Sequence, residues 1–165
     1  MPLHHLQIKQ RRTLHLPLVP EYLGYRDIGL SRDFFTATKP TIELLEQHQF
    51  KYRVDLQRLQ IDEQCGAISI SRPTNPTANV LSDDEVDALQ ALAAARDIPL
   101  IVDGAYGLPF PNIVFGDAAP RWSEQTILML SLSKLGLPGI RSGIVVASEE
   151  VIHAFNNANS IVNLA

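Results

Sequence analysis

Residues 65–104 read CGAISISRPTNPTANVLSDDEVDALQALAAARDIPLIVDG. Cys65–Ser71 is a β-prone apolar run that ends in the turn-rich segment Arg72-Pro73-Thr74-Asn75-Pro76-Thr77. Ser82-Asp83-Asp84-Glu85 then matches a capping box, in which a hydroxyl and a glutamate three residues on satisfy each other's free backbone N–H groups. Val86, Leu89, Leu92 and Ala93 follow at helical spacing, which predicts a helix to about Arg96. Pro99-Leu100-Ile101-Val102 is a buried-strand pattern closed by Asp103-Gly104. Strand, helix, strand in this order is the repeating unit of a parallel sheet.

The flanks extend the pattern. Downstream, Thr126–Leu130 and Gly143–Ala147 are strand patterns, and Glu149–Asn159 reads as a last helix. Upstream, Leu14–Val19 is a short strand interrupted by Pro17 and ending near Pro20. Glu21–Gly29 reads as a loop carrying Tyr22 and Tyr25, Thr41–His48 as a short helix, and Tyr52–Leu56 as an edge strand. Met1–Thr13 is polar, basic and unpatterned and is expected to fray. Its His4-His5 pair reads as exposed surface, since a metal site needs further ligands. The alternation predicts an α/β layered domain with a largely parallel sheet.

Composition narrows the function classes. The chain has 165 residues, enough for one domain with a real core. Hydrophobic residues are 45% and charged residues 19%, which excludes disordered, collagenous and coiled-coil readings. Net charge is −4, so no basic excess points to nucleic acid or an anionic membrane. A single cysteine, Cys65, excludes an internal disulfide framework and suits a reducing compartment. No apolar run is long enough to span a bilayer, and Met1–Arg12 lacks the apolar region of a secretory signal. The expected location is the cytoplasm.

Parallel sheets bind ligands outside the carboxyl ends of their strands. Asn75 and Thr77 follow the strand ending near Ser71. Asp103 and Tyr106 follow the strand ending near Val102. Ser131, Ser133, Lys134 and Arg141 follow the strand ending near Leu130. If these strands are neighbours, one crevice receives an amide, a carboxylate, a phenol, an amine, hydroxyls and a guanidinium. A lysine amine forms a Schiff base with an aldehyde. A carboxylate keeps a pyridinium nitrogen protonated. A phenol and an amide hydrogen-bond a phenolate oxygen. Serine and arginine hold a phosphate. Together these are the requirements of pyridoxal 5′-phosphate.

The same residues carry a family resemblance. Asn75-Pro76-Thr77, Asp103-Gly104-Ala105-Tyr106, Ser131-Leu132-Ser133-Lys134 and Gly139-Ile140-Arg141-Ser142-Gly143 resemble the motifs of the large domain of class I/II aminotransferases, pyridoxal-phosphate enzymes of fold type I. The likeness runs from about Leu14 to Ala165. Ser71–Thr77, Ala105–Pro111, Ser131–Gly139 and Pro20–Tyr25 are most similar to the valine–pyruvate branch of that family.

The resemblance implies a three-layer α/β/α large domain over residues 14–165, incomplete because family members are much longer. A preceding helix that cradles the phosphate and a small C-terminal domain with a carboxylate-clamping arginine are expected to be missing; Arg53 and Arg72 match no motif for the clamp. It implies Lys134 as the catalytic Schiff-base lysine and proton shuttle. Asp103 is implied at the pyridine nitrogen, Tyr106 and Asn75 at the phenolate oxygen, Ser131, Ser133 and Arg141 at the phosphate, and Tyr22 stacked on the ring. It implies amino-group transfer between an amino acid and a 2-oxo acid, with valine and pyruvate as the pair, in a homodimer. A lyase of the same fold type and a non-catalytic, cofactor-binding remnant are the alternatives. One departure stands out: Ala78 replaces a family glycine, and is strained if that position needs a positive φ.

Overall fold

The computed structural model describes residues 12–29, 31–114 and 116–162. The expected fraying segment therefore lies outside the described residues up to position 11, and Thr13 already opens a strand. That strand, β1, is Thr13–Leu16; β2 is Phe35–Ala37, β3 Thr41–Leu44 and β4 Phe50–Arg53. The central pair are β5, Cys65–Ser71, and β6, Leu100–Asp103. β7 is Thr126–Ser131 and β8 Gly143–Val146. The α-helices are α1, Asp83–Ala95, and α2, Glu149–Val162.

One six-stranded sheet has the order β2-β1-β5-β6-β7-β8. All neighbours are parallel except β7 and β8, which are antiparallel. The result is a mostly parallel mixed sheet with helices, an α/β domain. Register, more than strand count, positions the loops at the strand ends. Ser71 on β5 pairs with Asp103 on β6, and Asp103 pairs with Met129 on β7. Three parallel strands thus end at nearly the same level.

α1 forms as its sequence predicts. The Ser82 hydroxyl accepts from the Glu85 backbone N–H at 3.3 Å, and the Glu85 carboxylate accepts from the Ser82 N–H at 2.8 Å. Asp83, Asp84 and Glu85 place negative charge on the first turn, where the helix dipole favours it. Val86, Leu89 and Ala93 face inward against Ile68, Ile70, Leu100 and Val102. Each such side chain contributes on the order of 1.5–3 kcal/mol when fully buried. Glu85 also accepts from the Val54 N–H at 2.9 Å, so the cap carboxylate ties the β4 exit to the helix.

Three upstream expectations change. Thr41–His48 is not a helix: β3 pairs antiparallel with β4 in a separate two-stranded sheet. Gln47 and His48 have φ of 57° and 61°, a left-handed turn that stops any helix and reverses the chain. The predicted edge strand at Tyr52–Leu56 lies earlier, at Phe50–Arg53, set by that hairpin. Pro17 ends β1 at Leu16, because it has no N–H for the ladder, and the loop after Pro20 contains a 3-10 turn at Leu23–Asp27. Phe35–Ala37, too short to show a period, forms the strand beside β1.

Candidate active site

The carboxyl ends of β5, β6 and β7 open onto one cleft of about 180 Å³. Its lining includes Tyr22, Asn75, Asp103, Tyr106 and Lys134, five of the eight residues singled out by sequence. Ser71, Pro73 and Ala105 complete it. Asn75 comes from the turn after β5, and Asp103 is the last residue of β6. Tyr106 lies in the turn beyond Asp103, and Lys134 sits on the short 3-10 helix Leu132–Leu135 after β7. Tyr22 arrives from the β1 exit, which the parallel pairing of β1 with β5 brings to the same sheet edge.

Lys134 Nζ lies 4.9 Å from the centroid of the Tyr106 ring, over its face. Asp103 is held from two sides. The Ala105 N–H donates to Oδ1 at 2.9 Å, and the Tyr25 hydroxyl donates to Oδ2 at 2.7 Å. Tyr25 packs edge-on against Tyr22, with ring centroids 5.7 Å apart, and its ring stacks with Phe35. Burial, with the Asp103 charge beside it, pushes the Tyr25 phenol well above its ordinary range, so it stays a donor.

The other three candidates form a second group beside Lys134 rather than lining the cleft. Arg141 Nη1 donates to Ser133 Oγ at 3.2 Å, and Ser131 Oγ accepts from the Ser133 N–H at 3.3 Å. Arg141 is exposed and adopts φ 50°. Ser133 is the chain neighbour of Lys134 on the 3-10 helix, so these contacts tie the guanidinium and both serines to the lysine's own turn.

The surrounding loops are pinned by buried polar contacts. Arg72, 7% exposed, donates to the Leu81 and Ala119 carbonyls at 2.8 Å each and to Asp83 at 2.5 Å. Arg53 pairs with Glu43 at 2.6 Å and Glu85 at 3.5 Å. Both arginines are therefore committed to structure, in line with their lack of a clamp motif. A Cβ on Gly107 would lie 2.1 Å from the Arg72 carbonyl oxygen, so the turn carrying Tyr106 packs directly on the β5 exit. Ala78 has φ 56°, so the alanine does stand in a left-handed conformation.

Sequence analysis did not single out Glu21 and named Tyr25 only as a loop residue beside Tyr22. Glu21 is 7% exposed and accepts at 2.9 Å from the N–H of Ser71, the residue paired with Asp103 across β5 and β6. The only local signal was an acid wedged between Pro20 and Tyr22 in an otherwise aromatic segment. Among the described residues no helix is long and apolar enough to cross a membrane, and no cluster of metal-binding side chains occurs.

In comparison with known proteins, residues 36–164 match the family model for aminotransferase class I and II. The chain is 54% identical over 149 residues to valine–pyruvate aminotransferase of Escherichia coli (strain K12), covering 90% of this chain and 36% of that protein. It is 30% identical over 124 residues to aspartate aminotransferase of Bacillus subtilis (strain 168), covering 72% of this chain and 32% of that one. It superposes on the crystal structure of valine–pyruvate aminotransferase from Salmonella typhimurium LT2 with a TM-score of 0.86 and 50% identity, over 93% of this chain and 38% of the other. The chain spans about a third of the length of the curated relatives it matches.

Proposed function

Because the chain belongs to the class I and II aminotransferases, we propose that it serves pyridoxal 5′-phosphate-dependent transfer of an amino group from an amino acid to a 2-oxo acid. Valine and pyruvate are the proposed pair, giving 2-oxoisovalerate and alanine. The observation that carries the reading is the cleft itself, where Asn75, Asp103, Tyr106 and Lys134 meet from three strand ends.

The donor set fits the cofactor. One cleft offers a carboxylate, a phenol, an amide and an amine, and a guanidinium with two hydroxyls stands beside it. When bound, pyridoxal phosphate supplies an electron sink for the substrate's α-carbon. Asp103 would hold the proton on the pyridine nitrogen. Tyr106 and Asn75 would donate to the ring's phenolate oxygen. Arg141, Ser133 and Ser131 would bind the phosphate, and Tyr22 would lie against the ring. Lys134 would bind the aldehyde carbon and, once displaced by substrate, move a proton at the α-carbon. In this reading residues 14–165 belong to the large domain, and the working assembly is a cytoplasmic homodimer.

The test is covalent labelling. Protein mixed with pyridoxal 5′-phosphate and then borohydride is expected to carry a stable adduct on Lys134, found by peptide mass spectrometry and lost in Lys134→Ala. Folded protein that takes no adduct at Lys134 overturns the assignment. Transfer from valine to pyruvate, measured as alanine formed, tests the substrates separately.

A further inference from the structure

Two residues that would touch the cofactor, Asp103 and Tyr22, rest on the same side chain. Tyr25 stands outside the lining of the cleft. Its hydroxyl nevertheless donates to Asp103 Oδ2 at 2.7 Å, and its ring meets the Tyr22 ring at 5.7 Å between centroids and 87° between planes. Local structure explains the second contact. Tyr25 lies in the 3-10 turn Leu23–Asp27, and its N–H donates to the Tyr22 carbonyl at 3.1 Å. Residues three apart eclipse in such a turn, which brings the two rings to one side. Phe35 on β2 adds a stacked contact with the Tyr25 ring, 6.2 Å between centroids and 16° between planes.

For Asp103, Tyr25 supplies what the local turn does not. The Ala105 N–H, two residues along the chain, donates to Oδ1 at 2.9 Å. The Tyr25 hydroxyl, 78 residues away in sequence, holds Oδ2. The last torsion of an aspartate is broad, so one donor leaves the carboxylate plane loosely set and a donor on each oxygen fixes it. A hydroxyl bonded to a carboxylate is also roughly twice as strong as a neutral pair. Each oxygen has about two lone-pair sites, so both keep room for a ligand's N–H. Burial is the main cause that raises the Tyr25 pKa, so the phenol keeps the proton this bond needs.

We propose that Tyr25 is a positioning residue with two arms: its hydroxyl orients Asp103 toward the cofactor's ring nitrogen, and its ring props Tyr22 against the cofactor's face. One side chain outside the cleft thus couples the charge that holds the ring proton to the aromatic that lies on the ring. Losing the hydroxyl frees Asp103 alone, whereas losing the ring frees both. This deepens the proposed function and rests on it for the cofactor, but not for the two contacts themselves.

The experiment separates the arms with two probes, pyridoxal 5′-phosphate and its 1-deaza analogue, in which a C–H replaces the ring nitrogen. Binding of each is measured by calorimetry. Tyr25→Phe keeps the ring and loses the hydroxyl. It is expected to bind pyridoxal phosphate roughly tenfold more weakly than the parent and the deaza analogue within about twofold of it. A merely structural role would weaken both probes alike. Tyr25→Leu loses the ring as well and is expected to bind the deaza analogue roughly fivefold more weakly. Should Tyr25→Leu not fold, Phe35→Leu, which removes the stacked support, is judged in the same way. In cofactor-free protein, carbon-13 NMR of the side-chain carboxyls, assigned with Asp103→Asn, is expected to show the Asp103 signal displaced by Tyr25→Phe. An Asp103 signal left in place, or equal effects of Tyr25→Phe on the two probes, overturns the hydroxyl arm. Parent-like binding of the deaza analogue without the Tyr25 ring or its support overturns the ring arm. Either result, with Lys134 labelled after borohydride, leaves the aminotransferase reading standing. A parent that binds neither probe and takes no adduct at Lys134 overturns that reading and the cofactor-facing role together, while the carboxyl signal still judges the hold of Tyr25 on Asp103.

Discussion

Lys134 holds its ammonium over the face of Tyr106, 4.9 Å from the ring centroid, although the two residues belong to loops after different strands. Such a contact is worth about 0.5–1 kcal/mol at a partly exposed site. It holds the amine against the Tyr106 ring in the cleft that Asp103 also lines. Tyr106→Phe keeps the ring but loses the hydroxyl proposed for the phenolate oxygen, and should slow borohydride-fixed labelling of Lys134 less than loss of the ring does. Tyr106→Ala removes it, and labelling should slow by roughly fivefold, the factor that about 1 kcal/mol represents. Labelling rate by mass spectrometry distinguishes the two.

Arg72 should be among the most sensitive positions. Its guanidinium serves two carbonyls and Asp83 from a buried position. Arg72→Met leaves those groups without their donor and is expected to cost about 3–5 kcal/mol in chemical denaturation. Arg72→Lys should rescue little, because a single ammonium cannot reach three oxygens in a fork. Arg58, whose side chain is 86% exposed in a 3.7 Å pair with Asp55, is the control; its alanine variant should change stability by less than about 0.5 kcal/mol.

Gly107→Ala should destabilise by about 1–3 kcal/mol. The new methyl meets a backbone oxygen, not a mobile side-chain end, so the strand exit and the Tyr106 turn must part. The same variant should also weaken pyridoxal phosphate binding, because that turn carries Tyr106. A thermal melt and a binding titration on one preparation check both effects.

Ala78→Gly should act in the opposite sense. Alanine at φ 56° carries strain of about 1–2 kcal/mol, and glycine relieves it while adding freedom to the unfolded chain. The net expectation is a gain of up to about 1 kcal/mol, read as a higher urea midpoint at unchanged slope.

His15 predicts an acid-sensitive step. Its ring nitrogens contact the Thr36 and Thr38 hydroxyls at 2.8 and 3.0 Å, and the residue is buried. Burial lowers its pKa below 6.5, with Asp62 opposing in part. The folded state therefore prefers neutral histidine. Its contribution to stability is present above pH 6.5 and is lost as pH falls through the depressed folded value. Denaturation midpoints taken downward from about pH 7.5 should fall in the parent and fall less in His15→Gln.

Much of this molecule was legible without coordinates. The capping box at Ser82–Glu85, the helical spacing of Val86, Leu89 and Ala93, and the strands at Cys65–Ser71 and Leu100–Asp103 obey rules that act over a few residues. The candidate site was legible for the same reason: Asp103 ends a strand and Asn75, Tyr106 and Lys134 come closely after one, so naming the strands located the residues. The segments that misled lacked such signals. Thr41–Leu44 is exposed along its whole length and shows no buried face, and Phe35–Ala37 is three residues long.

By itself, then, the sequence determined the α/β class, the capped start of the helix at Asp83–Ala95 and the set of residues gathered at the strand ends, because periodicity, capping and turn chemistry are local. Only the tertiary structure decided that β1 lies beside β5, that β8 turns antiparallel, and that Glu21 and Tyr25 reach Ser71 and Asp103 from 46 to 78 residues away. Those contacts depend on which strands become neighbours and in what register. That choice is made by burial of the whole sheet, in which Ile68, Ile70 and Leu100 are almost fully enclosed, and no short stretch of chain encodes it alone.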